Sequence, residues 1–172
     1  MKLLGAILAG GVSQRFGSDK ALAKIDGKPM LAHVAERLSR QCDALVVVGR
    51  DWPGLIRVDD RPLPGLGPLG GLAGALAYGA DAGFDAVLTS GCDLPGLPVD
   101  VRSRLGLPNA VVKGQPTVGL WECGLAEPLA TWISRTEDRS IQAWIIETGA
   151  QRVILEALDN INTQADLSAF RH

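Results

Sequence analysis

The stretch Leu3-Leu4-Gly5-Ala6-Ile7-Leu8-Ala9-Gly10-Gly11-Val12-Ser13-Gln14-Arg15-Phe16-Gly17-Ser18-Asp19-Lys20 decides how this chain reads. Leu3 to Leu8 is a continuous apolar run of strand length, without alternation. A strand covered on both faces reads this way, and such strands belong to parallel sheets flanked by helices. The run passes directly into a glycine pair and then into polar and charged residues. A secretory leader would end in a small-residue cleavage site, and a membrane span would need about 20 apolar residues. A buried strand followed by a ligand loop accounts for the segment better than either.

Downstream, strand-like and helix-like segments alternate. Asp26-Gly27 is a turn signal within a small hairpin at residues 23–28. Pro29 opens a helix predicted to run to about residue 41, with Leu31, Val34, Ala35 and Leu38 on one stripe. A buried strand is expected at Ala44–Val48 and a short third strand at Ile56–Val58, then a Gly/Pro-rich loop, then an alanine- and glycine-rich helix over 69–80. A strand over 86–90 ends in Gly91-Cys92-Asp93-Leu94-Pro95, and Pro98 suits the first turn of the next helix. Strands at 110–113 and 117–121, helices at 126–134 and 140–148 and a strand at 151–156 follow. Thr163 with Asp166 resembles a capping box for a last helix. The alternation predicts one domain over residues 1–172: a doubly wound, mostly parallel α/β sheet with helices on both faces.

Composition excludes several classes. Of the 172 residues, 47% are hydrophobic and 21% charged, with a net charge of −2. That is neither a basic nucleic-acid binder nor a polybasic membrane surface. Cys42, Cys92 and Cys123 are widely spaced and odd in number, as expected of reduced thiols in a cytoplasmic protein. With only His33 and His172 as histidines and no Cys-x-x-Cys pair, a zinc site is not expected.

In doubly wound sheets ligands sit outside the carboxyl ends of the strands. After the first strand, Gly10-Gly11 lets the backbone approach a ligand closely, and exposed N–H groups with Ser13 can donate to phosphate oxygens. Arg15 offers two donors to phosphate, and Lys20 a compact positive charge. The loop lacks the Gly-Lys-Ser/Thr ending of a P-loop and the Gly-x-Gly-x-x-Gly dinucleotide fingerprint. The competing reading is a plain glycine turn beside two solvated cations. Asp93, just past a buried strand, is a natural Mg²⁺ ligand, because Mg²⁺ keeps waters and borrows phosphate oxygens. Its alternative role is a turn or N-cap residue. Cys92 has no histidine base in evidence and reads as a small buried residue.

Leu-Ala-Gly-Gly-x-Ser-x-Arg-Phe-Gly-x-Asp-Lys-Ala-Leu, followed by Gly27-Lys28-Pro29-Met30, resembles the opening of the molybdenum cofactor guanylyltransferases. These belong to a wider nucleotidyltransferase family that also makes nucleotide sugars. Gly10 points to the guanylyl branch, since sugar-nucleotide and cytidylyl members usually read Leu-Ala-Ala-Gly. Asp60 with Gly67-Pro68-Leu69-Gly70-Gly71, Cys92-Asp93-Leu94-Pro95-Gly96-Leu97-Pro98 and Asp159-Asn160-Ile161-Asn162-Thr163 resemble later signatures. Likeness extends from Leu3 to Leu167. The region after Gly96 is short, and Val12 and Gln14 stand where many relatives carry basic residues.

The resemblance implies transfer of GMP from GTP to the terminal phosphate of molybdopterin, with Mg²⁺. It implies a nucleotide site of Leu8, Ala9, Gly10, Gly11, Ser13, Arg15, Lys20, Asp60, Gly67 and Asp93. Arg15, Lys20 and Asp93 would carry the chemistry, and Asp93 the metal. Asp60 would accept from the two adjacent N–H donors of guanine, although Asp59 or a backbone carbonyl can serve instead. Arg139, Asn160 and Asn162 are the candidates for the second substrate, with Lys113 alongside Arg139. Transient contact with molybdenum-insertion or acceptor proteins follows from the same implied role. The rival readings are a related enzyme using CTP or a sugar phosphate, and a non-catalytic nucleotide-binding module.

Overall fold

The computed structural model describes residues 1–11, 19–156 and 158–170. Its main sheet has the strand order β5-β4-β1-β6-β8-β7-β9, comprising β1 (Leu3–Leu8), β4 (Ala44–Val48), β5 (Ile56–Val58), β6 (Ala86–Gly91), β7 (Ala110–Val112), β8 (Gln115–Glu122) and β9 (Gln151–Val153). Neighbours β5-β4, β4-β1, β1-β6 and β7-β9 run parallel, whereas β8 runs antiparallel to both β6 and β7. The sheet is mostly parallel, as expected. β8 reverses because only Lys113 and Gly114 separate it from β7, too short a link for a parallel crossover. A second, two-stranded sheet is formed by β2 (Lys24–Ile25) and β3 (Lys28–Pro29). Asp26 and Gly27 turn its hairpin with φ of 49° and 77°, the left-handed pair that such a tight turn needs.

Alternating residues of β1 feed two cores. Leu4 and Ala6 face α2 (Gly67–Asp81), α4 (Ala126–Arg135) and α5 (Ile141–Thr148), in a cluster with Leu72, Leu76, Trp121, Leu129 and Trp144. Leu3 and Ile7 face α1 (Met30–Ser39) and α3 (Val101–Leu105), with Leu31, Val34, Leu38, Leu88 and Val101. These layers give helices on both faces of the sheet. A third cluster joins Ile25, Met30 and Ile161 with Leu167 and Phe170. It docks the C-terminal segment, including α6 (Gln164–Ala169), onto the β2-β3 hairpin. The Thr163/Asp166 capping box is present.

Several boundaries differ from expectation, and three of the differences have a clear physical reason. α2 starts at Gly67 rather than Leu69, because Pro68 sits in a first turn whose N–H groups need no helical partner. Pro98 precedes α3 rather than opening it; Asp100 is the N-cap, and Leu97, fully buried, anchors the connecting turn through its N–H to the Leu94 carbonyl. β9 stops at Val153 rather than residue 156, because β7, its parallel partner, ends at Val112 and the ladder closes with Lys113 N–H to the Val153 carbonyl.

Candidate active site

From β1 the chain steps through β4 to β5 on one side, then returns as β6 on the other. That reversal opens a crevice at the carboxyl ends of β1 and β6, where open α/β sheets take ligands. A cleft of about 410 Å³ lies there, and its walls include Gly10, Gly11, Lys20, Asp60, Cys92 and Asp93. Leu8, Ala9 and Gly67, also expected at the nucleotide site, line it as well. Ser13 and Arg15 lie outside the described residues.

The floor is drawn tight by backbone contacts. Ala9 N–H donates to the Val48 carbonyl at 3.0 Å, and Cys92 N–H to the Leu8 carbonyl at 3.2 Å. Gly49, at the end of β4, has φ of 83°, and a Cβ there would lie 2.4 Å from Gly10 Cα. Only glycine satisfies both the dihedral and the approach. On the opposite wall α2 presses on the Asp59-Asp60 loop: a Cβ on Gly74 would meet the Asp59 carbonyl oxygen at 2.2 Å. Asp60 is thereby wedged between α2 and the first loop. Burial, reinforced by the Asp59 charge, raises its pKa above the usual carboxylate range, while the Gly65 N–H bond opposes this.

Asp93 and Lys20 meet in the cleft. Lys20 Nζ lies 3.1 Å from Asp93 Oδ2, and the two side chains are 16% and 20% exposed. Lys20 Nζ also donates to Asn162 Oδ1 at 2.7 Å. Ile161 N–H donates to the Asp93 carbonyl at 3.0 Å, so the Asn160–Asn162 segment abuts the Asp93 loop. Asn160 Oδ1 is buried and has no hydrogen-bond partner among the described residues. Gly91 shapes the Asp93 carboxylate, because a Cβ on it would lie 2.5 Å from Asp93 Oδ1.

Other expectations do not converge here. Arg139, before α5, and Lys113, in the β7-β8 turn, are exposed and are not among the cleft-lining residues. Lys113 follows β7, which runs in the same direction as β6, so it stands at the same edge of the sheet without lining the cleft. Cys92 lines the cleft and is half-buried rather than buried; burial and the Asp93 charge push its thiol up to about 11, which disfavours a thiolate nucleophile. Sequence reasoning did not single out Val48, Gly65, Gly91 or Thr117, which also line the cleft; Gly71, of the Gly67–Gly71 signature, lines it too. Sequence reasoning also missed Gly49, whose signal is a glycine directly after a buried strand, the same cue that exposed Gly10.

No helix among the described residues is long and apolar enough to cross a membrane. No group of three or more His, Cys, Asp or Glu side chains is placed to hold a metal among those residues. Asp93 offers a hard carboxylate beside a cationic partner, Lys20. That donor chemistry fits Mg²⁺, which takes few protein oxygens and shares phosphate oxygens, better than a zinc site.

A crevice of this kind, lined among the described residues by glycine backbone, the Lys20 cation and the carboxylates of Asp60 and Asp93, defines a nucleotide-binding α/β class. The chain belongs to the family of the MobA-like NTP transferase domain, whose model matches residues 5–161. It is 36% identical over 187 residues to a molybdenum cofactor guanylyltransferase of Cereibacter sphaeroides, covering 98% of this chain and 95% of the relative. A protein of the same name from Yersinia pestis is 33% identical over 184 residues, covering 95% and 92%. In fold it resembles molybdopterin-guanine dinucleotide biosynthesis protein A of Archaeoglobus fulgidus, with a TM-score of 0.74 and 22% identity over 96% and 95% of the two chains. A CMP:2-keto-3-deoxy-manno-octonic acid synthetase complexed with CTP gives a TM-score of 0.70 at 18% identity, covering 98% and 96%.

Proposed function

We propose that this nucleotidyltransferase moves GMP from GTP to the terminal phosphate of molybdopterin, giving a guanine dinucleotide cofactor and pyrophosphate. The observation that carries the reading is the 3.1 Å meeting of Lys20 and Asp93 in the cleft that also holds Gly10, Gly11 and Asp60. The names of the relatives supply the substrates. A cytosolic setting is proposed with it, consistent with three unpaired cysteines. So is transient contact with proteins that insert molybdenum or accept the finished cofactor.

The attacking phosphate is already anionic, so the protein needs no nucleophile of its own. Its task is alignment and charge neutralisation, the general logic of phosphoryl transfer. The Gly10-Gly11 backbone, with Ser13 and Arg15, is assigned to the triphosphate. Lys20 opposes the charge that develops on the departing pyrophosphate. Asp93 would hold Mg²⁺, which when bound supplies positive charge at the α-phosphate. Asp60 would accept from the guanine N–H edge. Asn162, held beside Lys20, and Asn160, with its unpartnered acceptor, are assigned to the second substrate.

Pyrophosphate release should be measured with purified molybdopterin, Mg²⁺ and each nucleoside triphosphate in turn. GTP should support turnover and CTP should not. Preference for CTP would make the protein a cytidylyl enzyme, and binding without release under any nucleotide would make it a non-catalytic module.

A further inference from the structure

Arg50, the residue after Gly49 at the end of β4, stands outside every role above. Its Nη1 and Nη2 donate to Asp19 Oδ1 and Oδ2 at 2.8 and 2.6 Å, a two-pronged pair. Asp19 Oδ1 also accepts from Ala21 N–H at 3.2 Å, which makes Asp19 the N-cap of the short 3₁₀ turn Lys20–Leu22. Lys20 is thus the first residue of a turn whose cap is clamped to the end of β4. Arg50 is only 22% exposed, and its Nε is buried without a hydrogen-bond partner among the described residues. A buried unpaired donor is costly, so the arginine is held there by its fork on Asp19.

The other described ion pairs contrast with this one. Those of Arg40, Arg57, Arg104 and Lys28 join residues at most eight apart in sequence. Arg50–Asp19 spans 31 positions and Lys20–Asp93 spans 73. The two long-range pairs lie in series: β4 holds Asp19, Asp19 caps Lys20, and Lys20 reaches Asp93.

We infer that Arg50 is a positioning residue for nucleotidyl transfer, fixing through Asp19 the turn that aims Lys20 at the reacting phosphates. The inference rests on the assignment of Lys20 made above. A lysine at position 50 keeps the charge but not the parallel two-point grip, so Arg50→Lys should restore little. Misplacement of a charged group by about 1 Å costs roughly a hundredfold in rate. Arg50→Ala should therefore lower kcat by about ten- to a hundredfold, while KM for GTP stays within about twofold, as for an interaction made mainly in the transition state.

The decisive measurement is steady-state pyrophosphate release by Arg50→Ala, Asp19→Asn, Lys20→Ala and the Arg50→Ala/Lys20→Ala double variant, with thermal unfolding of each. Arg50→Ala and Asp19→Asn should lose kcat alike, and Arg50→Ala should cost nothing further once Lys20 is gone. A merely structural role would lower the unfolding temperature in both backgrounds and multiply the losses in kcat, which overturns the inference. Wild-type kcat in Arg50→Ala together with an impaired Lys20→Ala also overturns it, leaving the site intact. Wild-type kcat in Lys20→Ala removes both the site assignment and the linkage. If Arg50→Ala fails to fold, Asp19→Asn, which keeps the arginine, carries the same comparison against Lys20→Ala.

Discussion

A Cβ placed on Gly91 would lie 2.5 Å from Asp93 Oδ1, so the carboxylate folds back over a residue that has no side chain. Gly91→Ala should turn the Asp93 side chain away, because the clash is with the free end of a side chain and not with backbone. The expected result is a loss of about a hundredfold in kcat, the scale of a 1 Å misplacement, with little change in unfolding temperature. Unchanged turnover in this variant would show that Asp93 does its work from another rotamer.

Lys20→Ala and Asp93→Ala should each cost on the order of 3 kcal/mol or more in the transition state, as loss of comparable preorganised charge does. Both side chains are mostly screened from solvent. Pyrophosphate release at saturating GTP measures the effect. Wild-type turnover in both variants would remove the mechanism.

Gly74→Ala tests how α2 sets the Asp60 wall. The added methyl would meet the Asp59 carbonyl oxygen at 2.2 Å, and backbone cannot rotate out of the way. Overpacking of this kind costs about 1–3 kcal/mol. Denaturant unfolding should register it, and KM for GTP should rise as Asp60 is displaced. A variant as stable as the parent would mean that α2 slides freely over the loop.

Asp60→Asn separates stability from recognition. Burial raises the Asp60 pKa, so folding disfavours its charged form relative to the unfolded chain. The protonated form's contribution to stability is present below the unfolded carboxylate value of about 3.9 and is lost as pH rises through the higher folded value. At pH 7 the asparagine variant should therefore unfold at a temperature equal to or above that of the parent, with the difference closing below about pH 4. Affinity for GTP should fall by about ten- to a hundredfold, the worth of hydrogen bonds to a charged acceptor. Calorimetry at several pH values reads the first effect and nucleotide titration the second.

Asp19→Asn should show the opposite sign. Hydrogen bonding and charge from Arg50, with the Ala21 N–H, hold the Asp19 carboxyl below the usual range. Its contribution is present above the unfolded value of about 3.9 and is lost as pH falls through the lower folded value. The parent should unfold above Asp19→Asn at neutral pH and converge with it in acid. The difference should stay below about 1 kcal/mol, because the pair is part-exposed.

Much of the cleft was legible because its parts sit in runs. Leu8 to Gly11 and Asp93 stand at or just past the ends of buried strands, and a strand end in a parallel sheet delivers whatever comes next to the same edge; Lys20 belongs to the loop that β1 opens. Asp60 and Gly67 were legible through their likeness to the family. The hairpin at Asp26-Gly27 and the cap at Thr163 rest on local chemistry of adjacent residues, so they too could be read from order alone. Arg50 and Asp19 could not be paired, because nothing in either neighbourhood names a partner 31 positions away.

By itself the sequence determined the alternation of strands and helices, the two-faced burial of β1 and the residue types at each strand end, since those depend on side-chain pattern within a few positions. Tertiary structure alone decided that β8 runs antiparallel, that Gly49 lies against Gly10 and that Lys20 meets both Asp93 and Asn162. These contacts arise from the order in which strands are laid into the sheet and from how closely their backbones approach, and neither is a property of any single segment.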